Sequence, residues 1–315
     1  MVNPAEPVIG GLLIELCFAF ILYGITTLQT FMYFQKYTDD RPSLKTLVAT
    51  VWILESVHTG FCMQFIYAYI IAGFGDYANF LNINWCVAIT VVCSAGVALC
   101  VQGYYTWRVW IVSGKSLVWT VIIGSFALLR VAFGIASAVL SYVYPDWLTF
   151  RHTNSSLITI SGGLGSAALV DMLVAVTLSY YLKRGRHTWH KESNSMINQI
   201  LLYAVNTGAI TGTASLLCVI LFAVKKSSLV FLGLVMIQTK LYANSLLGSL
   251  NARAHMRSKG SRGNTYSSAS SSGYRVATPR VPVVEVFQQT DILDDRELAS
   301  QTDLNLENLK GGSLA

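Results

Sequence analysis

Seven apolar runs of bilayer-spanning length, joined by short polar segments, constrain this chain more than anything else in it. A hydrocarbon core about 30 Å thick takes roughly 20 helical residues at about 1.5 Å of rise each. The runs are Val8 to Phe34, Thr46 to Ala72, Trp85 to Val109, Leu117 to Ser141, Leu157 to Leu182, Ile197 to Val224 and Leu229 to Leu250. All six prolines (Pro4, Pro7, Pro42, Pro145, Pro279, Pro282) lie outside them. The expected fold is all-α: a polytopic membrane protein with seven transmembrane helices over residues 1–254, followed by a disordered tail over 255–315. Composition agrees, with 53% hydrophobic and 12% charged residues against about 25% charged in a soluble domain. The first run lacks a basic flank and a small-residue cleavage site, so it is expected to be a span and not a signal peptide.

The net charge of +6 is a topology signal and not a nucleic-acid footprint, because the cations sit between the runs. Lys36, Arg41, Lys45, Arg108, Lys115, Lys183, Arg184, Arg186, Lys191, Arg253, Arg257, Lys259 and Arg262 fall on one side; Arg151, Lys225 and Lys226 fall on the other. Cytoplasmic loops are enriched in Lys and Arg. Thirteen against three places the amino terminus outside and the carboxyl end in the cytosol, with Lys225-Lys226 a local violation, and the plasma membrane is the expected location. From about His255 the chain turns to Ser, Gly and Arg and then to mixed polar residues, which cannot bury enough apolar area to offset ordering. The expected partners are the lipid bilayer, a small-molecule ligand, and a cytosolic partner at the basic third loop and tail, with no nucleic acid.

Ionisable residues inside a span cost about 2.5–3.5 kcal/mol each on insertion scales and usually face the bundle interior. Here they are Glu55 and His58 near the middle of the second run, Arg130 in the fourth, Asp171 in the fifth and Lys240 in the seventh. Two acids and two bases thus share one depth. Adjacent helices make Arg130 with Asp171 and Glu55 with Lys240 the expected pairs, and His58, three residues from Glu55, lies on the same helix face. These five are the candidate ligand-binding residues. Three readings stay open for them: helix register and packing, a ligand pocket, or a proton or ion path.

Other chemistries find little support. A lysine in the seventh span invites a retinal Schiff base, but the third and seventh runs supply no acid as counter-ion. Tyr104-Tyr105-Thr106-Trp107-Arg108 is no Asp-Arg-Tyr triplet, and the Pro-kinked sixth helix of the large receptor class is missing. Ser161-Gly162-Gly163-Leu164-Gly165-Ser166 could break the fifth helix, though small residues four apart more simply allow close packing. His187 and His190 form a lone His-x-x-His pair, which cannot complete a metal site, and the six cysteines all fall inside apolar stretches. No metal, cofactor or enzymatic activity is expected. Asn154-Ser155-Ser156 is a glycosylation sequon on the expected outer side.

Asp171, Lys183-Arg184-Gly185-Arg186, Ser195-Met196-Ile197-Asn198, Asn206-Thr207-Gly208 and the run Lys240-Leu241-Tyr242-Ala243-Asn244-Ser245 through Asn251-Ala252-Arg253 carry a resemblance. Over 171–253 the chain is similar to the carboxyl-terminal domain, catalogued as a domain of unknown function, of a family of basidiomycete seven-helix membrane proteins. The amino half is similar through Gln29 to Phe34, Trp52 to His58, and Gln102-Gly103-Tyr104-Tyr105, with Glu55 where that family more often has Asp. The resemblance implies a fungal seven-helix membrane protein and no particular activity. With charges at mid-depth and little ionisable between midplane and cytosol, a receptor or sensor is the expected function. A small-solute transporter or channel, or a structural membrane protein without a ligand, is the alternative.

Overall fold

The computed structural model describes residues 6–185, 191–225 and 228–267. Its helices are α1 (Gly11–Lys36), α2 (Pro42–Tyr67), α3 (Trp85–Val112), α4 (Leu117–Val143), the short α5 (Trp147–His152), α6 (Asn154–Gly185), α7 (Lys191–Val224) and α8 (Val230–Ser267). Among the described residues there is no strand, only an isolated bridge between Asn82 and Asp146. His187 and His190 lie outside the described residues, as do 268–315.

Among the described residues six helices are long and apolar enough to cross a membrane: Val8–Lys36, Pro42–Ala72, Trp85–Val112, Leu117–Val143, Asn154–Tyr181 and Val230–Arg253. The expected sixth run is a helix, α7, of 34 residues, but its apolar stretch among the described residues is the shorter Gly208–Val224. A second difference concerns the tail: α8 runs past His255, where the composition changes, to Ser267.

The chain is an integral membrane protein, and its burial pattern is that of one. Along α4, Val121, Leu128, Ile135 and Tyr142 recur every seven residues and are all exposed, while α1 exposes Ile14, Phe18, Ile21, Leu28 and Phe31. The interior instead takes Thr26, Glu55, His58, Thr59, Gln102, Asp171 and Lys240. An apolar surface with the polar groups kept inside, among apolar ones, is the arrangement a hydrocarbon solvent favours.

The helices form a closed ring in the order α1, α2, α3, α4, α6, α7, α8, with α8 returning against α1 and α3 also reaching α6 and α8. Helix α6 is continuous through its glycines. A Cβ at Gly162 would come 2.8 Å from the Phe133 ring, so this segment is a close approach of α6 to α4 and not a break.

One end of the bundle is capped by ordered loops. The Tyr69 hydroxyl donates to the Asn82 carbonyl (2.7 Å) and accepts from Asn84 N (3.2 Å) and Trp147 Nε1 (3.3 Å). Arg151 is buried beside it, donating from Nη1 to the carbonyls of Lys225 (2.8 Å) and Ser228 (2.9 Å) and lying on the rings of Phe231 and Phe222. Burial pulls this guanidinium down to about 10. The other end is basic. There Arg253 pairs with Asp40, whose Oδ2 also accepts from the Tyr33 hydroxyl at 2.9 Å.

Candidate functional site

The mid-membrane charges assemble into two separate clusters on opposite sides of α8. In the first, α2 presents Glu55, His58, Thr59 and Cys62, spaced three, four and seven residues apart and therefore on one face. Lys240 reaches them from α8. Its Nζ lies 2.5 Å from Glu55 Oε2 and donates to Thr59 Oγ1 (2.7 Å), with His58 Nδ1 at 3.1 Å. Thr59 in turn donates to the Glu55 carbonyl at 2.7 Å, and the Tyr23 ring of α1 covers the ammonium at 5.3 Å. With Lys240 donating to Nδ1, the neutral imidazole proton belongs on Nε2. Glu55, His58 and Lys240 are all fully buried. This is a closed ion pair, and Lys240 lines none of the described cavities, which removes the geometric basis for a retinal linkage.

The second cluster departs from the expected pairing. Arg130 and Asp171 are not in direct contact, because the Tyr242 side chain stands between them. The Arg130 guanidinium lies over the Tyr242 ring at 4.5 Å, and the Tyr242 hydroxyl donates to Asp171 Oδ2 at 2.6 Å. Thr211 of α7 donates to the same oxygen at 2.6 Å. Helix α7 comes this close because residue 208 is glycine: a Cβ there would lie 3.2 Å from the Asp171 carbonyl oxygen. Since Tyr242 is two residues from Lys240, it points away from the first cluster. The five charged candidates therefore form two sites, not one.

What distinguishes the second site is open space. A cavity of about 110 Å³ lies between α3, α4, α6 and α8, lined by Val91, Ala95, Phe133, Gly163, Phe231 and Leu232 among others, with Arg130 at its deep end on α4. The Arg130 guanidinium makes no hydrogen bond among the described residues, and its Nη1 is buried. Toward the capped end a void of about 40 Å³, sharing Val91, Ser137, Ile160, Phe231 and Leu232, is lined by Trp147 and Phe150 of α5. On the other side of Tyr242 a void of about 20 Å³ lies against Asp171, Gln102, Tyr105 and Ser245, room for one water. Glu55, His58, Asp171 and Lys240 do not line the 110 Å³ cavity; of the five candidates only Arg130 does.

Residues 167–255 match a family of unknown function (DUF6534). No curated protein and no solved structure matches the chain. The matched segment contains Asp171, Thr211, Lys240 and Tyr242, whereas Arg130, Glu55 and His58 lie before it. Each cluster thus draws on both the matched segment and the preceding helices. Sequence reasoning missed Thr59, Thr211 and Tyr242. Thr59 was accessible as the residue four beyond Glu55; nothing in the sequence signalled an aromatic ring between two opposite charges. Among the described residues no three His, Cys, Asp or Glu side chains are grouped to hold a metal.

Proposed function

We propose that this is a seven-helix membrane receptor or sensor that binds a small ligand in the α3–α4–α6–α8 cavity and transmits occupancy through α8. Helix α7 is its remaining span, the capped end faces outward, and the basic end faces the cytosol. The thirteen-to-three distribution of cations supports that orientation, and the resemblance to fungal seven-helix proteins supports the family of architectures. The observation that carries the reading is the succession cavity, Arg130, Tyr242, Asp171: a ligand meeting the guanidinium acts on a ring whose hydroxyl is bonded to a buried carboxylate on α6. The chain in this reading binds and does not catalyse. Its basic α6–α7 loop and the end of α8 are the surfaces for a cytosolic partner.

Ser137→Leu tests this directly, since it fills the cavity without touching a charge. In cells lacking the gene, a phenotype restored by the wild-type chain and not by a normally inserted Ser137→Leu chain is the expected result. Full restoration by Ser137→Leu would leave a purely structural bundle. A transport path is the second reading, favoured by the three voids lying one beyond another from α5 to Gln102; uptake of a bound solute into sealed vesicles containing the purified chain separates it from a receptor.

A further inference from the structure

The cavity has one chemical peculiarity that identifies what it takes. Its walls are apolar side chains of four helices, and its small hydroxyl groups are few: Ser94, Ser137 and Thr159. Of these, Ser94 is already bonded to Thr239 Oγ1 at 2.8 Å. At its deep end stands a guanidinium with no hydrogen-bond acceptor among the described residues. Arg130 stacks on Tyr242 through its face, a contact that leaves the in-plane N–H groups unused. A guanidinium in a low-dielectric interior is strongly disfavoured until those donors are satisfied. Asp171, the nearest carboxylate partner by charge, has Oδ2 engaged by Tyr242 and Thr211 and accepts no hydrogen bond from Arg130. Elsewhere in the bundle the buried cations each have acceptors: Lys240 has Glu55 and Thr59, and Arg151 donates from Nη1 to two backbone carbonyls.

We infer that the cavity binds a small apolar monocarboxylic acid, its carboxylate accepting from Arg130 and its hydrocarbon part filling the space toward Phe231 and Leu232. The planar fork of N–H donors matches a carboxylate in two parallel bonds, which no alcohol, amide or hydrocarbon reproduces. Size follows from volume. An apolar cavity of about 150 Å³ accepts benzene, so 110 Å³ sets an upper bound of about six carbons on the hydrocarbon part, aromatic or aliphatic. The inference rests on the ligand-sensing reading above and adds the class of ligand to it.

The test uses the purified full-length chain in lipid nanodiscs with phenylacetate, hexanoate, 2-phenylethanol and toluene as probes, read by calorimetry and by the shift in thermal midpoint. One or both acids should bind saturably and at least about tenfold more tightly than the alcohol; which of the two does so separates an aromatic from a fatty acid. Arg130→Gln should remove that advantage while leaving toluene binding unchanged, and Arg130→Lys, which keeps the charge and loses the fork, should retain only part of it. Ser137→Leu should abolish binding of every probe. Equal binding of acid and alcohol to the wild-type chain overturns the acid class and leaves the ligand-sensing reading standing. Absence of saturable binding by all four probes, together with a Ser137→Leu chain that still restores the phenotype, overturns both. The wild-type comparison of acid with alcohol decides the matter even if the Arg130 variants fail to fold.

Discussion

Two sides of one helix treat a buried cation in opposite ways. On one side of α8, Lys240 is enclosed by Glu55, Thr59 and His58 and lines none of the described cavities. On the other, two residues further on, Tyr242 offers Arg130 a ring in place of a carboxylate, and the guanidinium looks into open space. Both arrangements place a charge at mid-depth at similar insertion cost. Only in the first does the cation have a carboxylate partner within the protein. A partner for the cation, not the presence of charge, therefore separates a structural pair from a candidate binding site.

The largest effect expected from breaking the comparison is at the closed side. Glu55→Gln leaves the Lys240 ammonium buried beside a neutral amide, and removing one partner of a buried pair costs about 3–5 kcal/mol. Thermal unfolding in detergent should show a loss of that order or failure to accumulate. Glu55→Leu combined with Lys240→Met should recover most of it, since an apolar replacement of both partners is often neutral or better. A double variant as unstable as the single one would mean that the pair does more than neutralise itself.

Arginine supplies a sharper contrast: Arg130 and Arg151 both lie on aromatic rings, and Arg151 donates to two backbone carbonyls while Arg130 has no acceptor among the described residues. Arg151→Met should cost about 2–3 kcal/mol by leaving the Lys225 and Ser228 carbonyls without their charged donor. Arg130→Met should cost less than about 1 kcal/mol, since it strips a hydrogen-bonding group that has no partner in the protein. The check is the difference between their unfolding midpoints at one pH. Equal losses would show that Arg130 is as well satisfied as Arg151 and would undo the contrast.

Much of this was legible in the sequence, and the limits have physical causes. The helices follow from apolar runs that have no alternative in lipid. The Glu55–Lys240 contact follows because a lone charge in such a run needs a partner, and a closed ring brings α2 close to α8. The Arg130–Asp171 expectation used the same logic and met Tyr242, whose interposition depends on side-chain direction that spacing does not encode. Arg151 was counted only as a topology charge; that it clamps the α7–α8 turn depends on the short α5 folding back over the bundle. The cavity had no signature at all, because a void is a property of how surfaces fail to meet.

Tyr242→Phe probes the interposed ring with a smaller change. It keeps the stack beneath Arg130 and removes one of the two side-chain donors seen at Asp171 Oδ2, with Thr211 remaining. A stability loss of about 1–2 kcal/mol is expected. If transmission runs through that hydroxyl, the variant should still bind an Arg130-dependent ligand with near wild-type affinity while losing the cellular phenotype. Unchanged phenotype would confine Tyr242 to packing.

The smallest effect belongs to a third pair, which water reaches. Arg253 and Asp40 tie the end of α8 to the α1–α2 turn, with side chains 26% and 19% exposed, so the pair is worth under about 1 kcal/mol. Burial works to raise the Asp40 carboxyl, and the hydrogen bonds from Arg253 and Tyr33 outweigh it, holding the group below its ordinary value. A carboxyl depressed on folding contributes stability that is fully present above its unfolded value of about 3.9 and is lost as pH falls through the folded value beneath it. Thermal midpoints in detergent should therefore show no contribution from this group's titration between pH 7 and pH 5 and a decline below about 4. Asp40→Asn should lower the neutral-pH midpoint slightly and flatten that decline. The buried Glu55–Lys240 pair differs in salt as well, because screening acts on charges that water reaches and little on those it does not. Raising sodium chloride from about 0.1 to about 1 M should shrink the Asp40→Asn difference and leave the Glu55→Gln difference nearly unchanged. A salt response of the same size in both would mean that water reaches the α2–α8 pair too, and the division between closed and open regions would have to be redrawn.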